Sequence, residues 1–163
     1  MLKDWSLRIL VAEDYKDLAD SYKMALEGRG HEVIITTNGI ECQRVYKQYT
    51  KQPDGQIKKH FDLVILDQNM PGMDGIETAK EIQKVDAKQK IIFITGYGND
   101  VIPKLKQLTN NASVMNKPFT VEALLAEVEG WPVSKLREML KKGFKEWDGH
   151  TGTSVPVGPS RTG

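Results

Sequence analysis

Acidic, hydroxyl and amine side chains stand at the ends of several apolar runs in this sequence. In VILDQNMPGMDG, an apolar run ends on Asp67, and a Pro-Gly turn follows soon after it. Other apolar runs end on Glu13 and Asp14, on Thr95 and on Lys117. If these runs are strands of one parallel sheet, their carboxyl ends share an edge, and ligands of such sheets bind there. Three carboxylates, one hydroxyl and one ammonium would then converge on one crevice.

This set of groups is suited to phosphoryl chemistry. Partly buried carboxylates repel one another at a cost of several kcal/mol unless a cation lies between them. All-oxygen ligands suit Mg²⁺, which keeps several waters and accepts a phosphate as a further ligand. A carboxylate such as Asp67 can act as a nucleophile and form an aspartyl-phosphate. Thr95 could then donate its hydroxyl to one phosphoryl oxygen while Lys117 pairs with another.

Strand-length runs and helical repeats alternate along the chain. Apolar runs rich in β-branched residues predict strands at 7–14, 31–37, 61–67, 90–95 and 112–117. Apolar residues at helical spacing predict helices around 18–26, 42–49, 76–85 and 121–128. Thr120 is placed to cap the last of these, and a further helix is predicted within 99–109, with Pro103 in its first turn. This alternation predicts a doubly wound parallel α/β sandwich. A place at the sheet edge would keep the second strand out of the crevice.

The remaining segments are a long link and a C-terminal extension. In TKQPDGQIKKH, Pro53 and Asp54-Gly55 predict a turn in an exposed loop. The α/β domain is assigned to residues 6–130. Beyond Gly130, apolar residues recur at steps of three and four, which predicts an amphipathic helix over 131–148. The Gly-, Pro-, Ser- and Thr-rich stretch 149–163 is predicted to be a disordered tail.

The length and composition limit which classes of protein this chain can belong to. A chain of 163 residues is long enough for one well-buried core. With 23 basic and 22 acidic side chains, no global charge favours nucleic acid or anionic lipid. No apolar run approaches the ~20 residues that span a bilayer, and the N-terminus lacks the features of a signal peptide, so no membrane association is expected. The single cysteine, Cys42, fits a reducing cytoplasm, and the scattered histidines predict no zinc site.

The sequence resembles the receiver domain of two-component response regulators in four motifs. These motifs are ILVAED for the acidic pair, LDQNMPGMDG for the phosphoacceptor loop, FITGYG for the hydroxyl and NKPF for the lysine. The resemblance covers roughly residues 6–130, and the four motifs in this order are together highly specific. It implies a flavodoxin-like five-stranded parallel sheet in the order 2-1-3-4-5 with helices on both faces, to which the amphipathic helix over 131–148 is an addition.

The resemblance also implies a role for each matching residue. Asp67 would accept a phosphoryl group from a phosphohistidine on a histidine kinase or a histidine phosphotransfer protein. Asp14 and Asp67 would bind Mg²⁺ directly, assisted by the backbone carbonyl of Asn69, and Glu13 would act through a water molecule. On phosphorylation of the aspartate, Thr95 would turn inward.

The motif around the lysine matches the family at some positions and differs from it at one. Lys117 would hold the phosphoryl group and precede a cis peptide bond to Pro118. Asn69 and Tyr97 would lie where the family tunes its dephosphorylation rate. Family members usually carry Tyr or Phe three residues before the lysine, and that ring moves with the threonine. Val114 occupies this position here, so the aromatic readout lacks its usual ring, and Tyr97 is the candidate to replace it.

Several of these residues also have plain structural interpretations. Asp14 could simply cap the first helix. Cys42 lies on an apolar helical face, which favours a core position over a reactive thiol. The apolar stripe of the 131–148 helix could pack on this chain's own surface, or it could form a homodimer seam or a docking strip for a partner. The lysines beside this stripe favour a solvated face over an anionic partner.

The sequence leaves three candidate functions open. The first is a regulatory phosphoacceptor, not an enzyme beyond its own phosphorylation and dephosphorylation, that signals to a protein target. The segment after Gly130 is too short for a DNA-binding output domain, so no direct DNA binding is expected, although the chain could be a receiver excised from a longer protein. The second is an Asp-nucleophile phosphohydrolase, which needs a general acid where Asn69 stands. The third is a receiver-like binding module with lost or weak phosphorylation, which the complete set of acidic, hydroxyl and lysine positions disfavours.

Overall fold

The computed structural model describes residues 6–96, 102–104 and 111–141, with the side chains of 131–139 and 141 outside this description. Strands and helices alternate along the described chain as predicted. In chain order the elements are β1 (Arg8–Ala12), α1 (Lys16–Glu27), β2 (Glu32–Thr36), α2 (Gly39–Thr50), β3 (Leu63–Asp67), α3 (Gly75–Val85), β4 (Ile91–Thr95), β5 (Ala112–Asn116) and α4 (Val121–Lys141).

The strands form one five-stranded parallel sheet in the order β2-β1-β3-β4-β5. The doubly wound sheet and its strand order, both predicted from the sequence, are therefore confirmed. Every residue of β3 and β4 is buried, because helices cover both faces of the sheet at its centre. This burial explains why both strands are apolar without alternation. The edge strands β2 and β5 are only partly buried.

Side chains of the central strands alternate between two apolar cores, one on each face of the sheet. Leu10 and Val64 belong to the core that α2 and α3 cover. Ile9 and Ile65, one residue away along the same strands, belong to the core that α1 and α4 cover. Burying one such side chain contributes roughly 1.5–3 kcal/mol. A slip of one residue would exchange the two sets, so packing on both faces holds the strand ends in register.

Side-chain caps determine where three of the helices begin. Asn38 caps α2 and Asp74 caps α3, each by accepting a hydrogen bond of 2.8 Å from a backbone N–H three residues further on. Thr120 caps α4 in the same way at 3.0 Å, as predicted. At the start of α1 the capping position is Tyr15, and no side chain caps the helix. The interpretation of Asp14 as a helix cap is therefore wrong.

Three other predicted segments are described to different extents. The link 51–62 contains the predicted turn, with Gly55 at a φ of +84° that favours glycine. Of the helix predicted within 99–109, residues 102–104 are described and are helical. Helix α4 bends at Gly130, whose φ is 63°, and its backbone continues to Lys141. The rest of the helix predicted over 131–148 and the tail 149–163 lie outside the described residues, and the domain boundary at 130 stays a prediction.

Within the described residues, no helix is both long enough and apolar enough to cross a bilayer.

A buried charge cluster ties α4 to the link between α1 and β2. The Glu129 side chain is 1% exposed, and its carboxylate contacts Arg29 Nη2 at 2.6 Å and His31 Nε2 at 3.1 Å. His31 Nδ1 accepts the Leu7 backbone N–H at 3.1 Å. The imidazole proton therefore lies on Nε2, facing the carboxylate. This cluster joins residues far apart in the sequence at the amino-terminal edge of the sheet.

We expect Glu129→Ala to lower the free energy of unfolding by about 3 kcal/mol, because it removes the carboxylate that Arg29 and the buried His31 both contact. Urea unfolding followed by circular dichroism measures the change. Glu127→Ala removes a neighbouring, partly exposed carboxylate from the same helix and should change the stability by less than about 0.5 kcal/mol. Equal losses in the two variants would contradict a role for the cluster.

Candidate functional site

The carboxyl ends of β1, β3, β4 and β5 meet at one edge of the sheet, and the five predicted side chains belong to residues at or just beyond these ends. Asp67 is the last residue of β3 and Thr95 the last of β4, while Glu13 directly follows β1 and Lys117 directly follows β5. One carboxylate oxygen from each of Glu13, Asp14 and Asp67 lies within 4.8 Å of the other two. The parallel topology therefore brings the three predicted acids together.

Lys117 places a positive charge beside two of these acids. Its Nζ lies 3.3 Å from Asp67 Oδ1 and 3.4 Å from Glu13 Oε1. The other oxygen of Glu13, Oε2, accepts the Tyr15 backbone N–H at 3.2 Å. One ammonium among three carboxylates leaves an excess of negative charge, which a further cation could balance.

The two buried acids are electrostatically coupled. Glu13 is 1% exposed and Asp67 is 4% exposed. Burial raises the pKa of Glu13 to about 7, and the Asp67 carboxylate adds to the rise, while the Tyr15 N–H and Lys117 oppose it. The pKa of Asp67 is also raised, chiefly by burial, with Lys117 opposing. Near neutral pH the pair therefore tends to hold a proton, which metal binding would have to displace.

Backbone hydrogen bonds just beyond the strands fix the positions of these residues. The Gln68 N–H donates to the Ile94 carbonyl at 2.9 Å, and the Lys117 N–H donates to the Thr95 carbonyl at 2.8 Å. Each bond continues a strand pair beyond its last paired residue. Thr95 itself is fully buried. The acid on β3, the hydroxyl on β4 and the lysine after β5 are thus carried by one rigid sheet.

The loop after Asp67 is closed by Gln68, a residue for which no role was predicted. Gln68 accepts the Gly75 N–H with its backbone oxygen at 3.1 Å and the Ile76 N–H with Oε1 at 3.0 Å. A Cβ on Gly75 would lie 2.7 Å from the Asp67 carbonyl oxygen, so only glycine fits there. Ile76 lies in the first turn of the predicted helix, and polar side chains can satisfy the free backbone N–H groups at a helix start. The amide side chain of Gln68, eight residues before Ile76, was therefore the available sequence signal for this contact.

The loop that carries the lysine is attached to α1. The peptide bond between Lys117 and Pro118 is cis, as the family resemblance implied. The next residue, Phe119, stacks on Tyr22 of α1 with ring centroids 5.9 Å apart and 19° between the ring planes. Burial raises the pKa of Tyr22, and the charges of Glu13 and Asp67 add to the rise. The Tyr22–Phe119 stack therefore lies close to the acidic cluster and supports the lysine loop.

The other predicted positions lie around this cluster or away from it. Asn69 is exposed on the loop after Asp67, and Tyr97 lies outside the described residues. Val114 is partly buried and packs on the core beneath α2 and α3. Cys42 is fully buried in that core, and burial raises the pKa of its thiol to about 12, so the prediction of a core cysteine is confirmed.

The acidic cluster fits a divalent cation. Glu13 and Asp67 are buried and Asp14 is exposed, so an ion could contact protein oxygens and keep several waters. A donor set made only of oxygen atoms suits Mg²⁺ better than zinc. Among the residues that the structure describes, no other group of three His, Cys, Asp or Glu side chains lies close enough to hold a metal.

Comparisons with known proteins agree on one family. Residues 9–129 match the family model described as the response regulator receiver domain. The chain is 34% identical to the response regulator receiver protein CpdR of Brucella abortus, over 75% of this chain and 93% of that protein. It is 33% identical to the uncharacterized transcriptional regulatory protein YrkP of Bacillus subtilis, over 74% of this chain and 47% of that protein. It therefore spans nearly all of one relative and about half of the other.

The fold comparison gives the same family. The response regulator protein TrrA from Thermotoga maritima, in complex with Mg(2+)-BeF, matches this chain with a TM-score of 0.63 and 29% sequence identity. The match covers 76% of this chain and 96% of TrrA.

We expect Mg²⁺ to bind about tenfold more tightly at pH 8 than at pH 6, because the ion competes with the proton that Glu13 holds up to a pKa of about 7. Burial raises this pKa above its ordinary value of 4.5, so the proton is bound below about pH 7 and lost above it. Isothermal titration calorimetry of the full chain measures the affinity at each pH.

The matched variants for this titration are Glu13→Gln and Glu32→Gln. Glu13→Gln should flatten the pH dependence, because the titrating group is gone. Glu32→Gln, an exposed site on β2, should keep it. An affinity that is the same at both pH values in the unmodified chain would contradict the assignment of the proton to this cluster.

Proposed function

Because this chain belongs to the response regulator receiver domain family, we propose that it accepts a phosphoryl group on Asp67 and relays a signal by protein contacts. The observation that carries this proposal is the position of Asp67. Its carboxylate is buried, lies 3.3 Å from Lys117 Nζ and is grouped with those of Glu13 and Asp14. This arrangement supports the proposal, because it would put a nucleophile, a cation and further metal ligands within reach of one phosphoryl group.

The proposed reaction transfers the phosphoryl group from a phosphohistidine. One carboxylate oxygen of Asp67 attacks the phosphorus atom on a histidine kinase or a histidine phosphotransfer protein. A P–O bond forms as the P–N bond breaks, and the imidazole nitrogen leaves with the electron pair and takes up a proton. The product is an aspartyl-phosphate, whose formation depends on positioning and charge more than on covalent help from the protein.

The metal ligands in this proposal are Asp14, Asp67 and the backbone carbonyl of Asn69, with Glu13 acting through a water molecule. When bound, Mg²⁺ supplies the positive charge that lets a carboxylate and a phosphoryl group approach each other. The grouping of three carboxylates within 4.8 Å supports this assignment, because they repel one another without a cation.

Lys117 and Thr95 would receive the phosphoryl oxygens. Lys117 Nζ already lies 3.3 Å from Asp67 Oδ1, so a small movement would bring its ammonium onto a phosphoryl oxygen. Thr95 ends the strand next to Asp67, and its hydroxyl would turn inward to donate to another phosphoryl oxygen. These contacts would exist only in the phosphorylated protein, which makes the two residues the start of the switch.

Asn69 and Tyr97 would tune how fast the aspartyl-phosphate is hydrolysed. The exposed side chain of Asn69 follows Asp67 by two residues, where it could order or exclude an attacking water. An Asp-nucleophile phosphohydrolase needs a proton donor at this place, and an amide is not a general acid. We therefore propose a regulatory phosphoacceptor that turns over only its own phosphoryl group.

The proposed partners are a histidine kinase or a histidine phosphotransfer protein upstream and a protein target downstream. The near balance of 23 basic and 22 acidic side chains supports a target that is protein rather than DNA or a membrane. A cytoplasmic location is proposed for the same chain because its one cysteine is buried and unpaired. Val114 removes the usual switch aromatic, so the contact surface that responds to phosphorylation is proposed to differ from that of relatives with Tyr or Phe.

Phosphorylation by a small phosphodonor tests the function directly. We expect acetyl phosphate and Mg²⁺ to produce one phosphoryl adduct that is stable in acid and labile in base, detected by intact-mass spectrometry. Asp67→Asn should abolish the adduct because the nucleophile is lost, and chelation of Mg²⁺ should lower its yield at least about tenfold.

The control for this experiment is Asp20→Asn, an exposed aspartate on α1 that pairs with Lys16 and lies outside the site. It should leave the adduct unchanged. An adduct that survives Asp67→Asn would place phosphorylation elsewhere, and a protein that is never modified would favour a binding module that has lost this chemistry.

The role of the C-terminal segment is tested by truncation. If residues 131–163 pack on their own receiver, their deletion should lower the melting temperature by several degrees, because buried apolar area is lost, and leave the oligomeric state unchanged. Differential scanning calorimetry and light scattering measure the two quantities. Conversion of a dimer to a monomer on deletion would instead show that the helix is a homodimer seam.

A further inference from the structure

The link between α2 and β3 is longer than the fold requires. Helix-to-strand links in α/β units commonly have roughly two to six residues, whereas this link occupies 51–62. Residues 51–59, called the basic hairpin below, are exposed apart from the half-buried Gln52. The basic hairpin therefore adds almost nothing to either apolar core.

The backbone of the basic hairpin is nonetheless well ordered by its own hydrogen bonds. Lys51 and Ile57 form an antiparallel bridge. The Gln52 N–H donates to the Gln56 carbonyl at 2.8 Å, and the Gly55 N–H donates to the Gln52 carbonyl at 2.9 Å. The segment is thus a closed hairpin, rather than an irregular loop, and it presents its side chains in a defined arrangement.

Aromatic rings attach the base of the basic hairpin to the core. His60 lies 4.7 Å from Tyr49 and 4.8 Å from Phe61, measured between ring centroids. Phe61 is 1% exposed and packs on Tyr46 beneath α2. Because these rings are packed on one another, the hairpin projects from a rigid base.

The exposed side chains of the basic hairpin include three lysines close to one apolar residue. Ile57 is 45% exposed, and Lys51 stands directly opposite it in the bridge. Lys58 and Lys59 follow Ile57 in the chain, and within the described residues none of the three lysines has a carboxylate within 4.0 Å. Asp54, the one acid of the hairpin, uses Oδ1 to accept the Gln56 N–H at 3.0 Å. Positive charge and an aliphatic side chain are therefore available to a partner.

We propose that the basic hairpin is a docking surface for an acidic segment of a partner protein, with one apolar side chain of that segment seated on Ile57. Charge complementarity selects the partner, since glutamates or aspartates can pair with Lys51, Lys58 and Lys59. The aliphatic anchor distinguishes this surface from a simple electrostatic patch. The preformed hairpin lowers the ordering cost of binding.

A protein segment fits this surface better than nucleic acid or lipid. Single-stranded nucleic acid binding uses aromatic rings on which bases stack, and the nearby ring of Tyr49 is already packed on His60 and Phe61. Three lysines with one aliphatic side chain give only weak adsorption to anionic lipid. The hairpin also precedes the amino end of β3, whereas Asp67 ends that strand about 13 Å away. Docking there would leave the acidic cluster open.

An amide NMR titration of the full chain tests this inference. The probe is a synthetic peptide in which a single leucine is flanked on both sides by glutamates. We expect chemical-shift changes centred on residues 51–59, and Lys58→Glu with Lys59→Glu should weaken binding at least about tenfold, because both paired charges are reversed. Ile57→Ser, or serine in place of the peptide's leucine, should weaken it about fivefold.

Matched controls separate a specific surface from general attraction of charge. Lys80→Glu with Lys104→Glu reverses two exposed lysines outside the hairpin, one on α3 and one in the helical turn 102–104, and should change the affinity by less than about twofold. The proposal is wrong if the peptide does not bind, if its shifts map elsewhere, or if both lysine pairs weaken binding equally. It is also wrong if an RNA oligonucleotide or phosphatidylserine vesicles bind the same residues more tightly than the peptide.

Discussion

Repulsion between carboxylates at one edge of the sheet is the constraint on which the rest of this structure depends. Glu13 and Asp67 are almost fully buried, and burial raises the pKa of both. Left to themselves, such groups would separate or take up protons. They stay together because each belongs to a strand end that cannot move independently, and because Lys117 lies between them. A cation bound between these carboxylates would relieve this repulsion.

Packing on both faces of the central strands makes the part of the fold that carries these acids rigid. Strands β3 and β4 are packed on both faces, so Asp67 and Thr95 are held by two cores at once. The loop after Asp67 is closed by Gln68, and a side chain on Gly75 would collide with the Asp67 carbonyl. Preorganised charges of this kind favour a reacting group without the cost of rearranging around it. The geometry of the acidic cluster therefore depends on packing as much as on the acids themselves.

Charged side chains are balanced differently at the carboxyl and amino edges of the sheet. At the carboxyl edge, three acids face a single lysine, and the imbalance leaves room for a metal and a phosphate. At the amino edge, the buried Glu129 is matched by Arg29 and His31, which is a structural arrangement. The basic hairpin beyond that edge carries unpaired positive charge outside the cores. The acidic cluster and the basic hairpin therefore lie beyond opposite ends of the strands, and sites on a shared fold commonly vary independently.

The sequence by itself determined the parallel sheet and the strand ends that carry Glu13, Asp14, Asp67, Thr95 and Lys117, because two-sided burial leaves unbroken apolar runs and a parallel sheet gathers all carboxyl ends at one edge. The strand order followed from the resemblance to receiver domains. The cap at Thr120 was also readable, since capping involves neighbouring residues. Only the tertiary structure decided that Gln68 closes the loop after Asp67, that Glu129 contacts His31 and that Asp14 is no helix cap. Such contacts join residues distant in the chain or depend on loop geometry, and no local pattern of residue types encodes them.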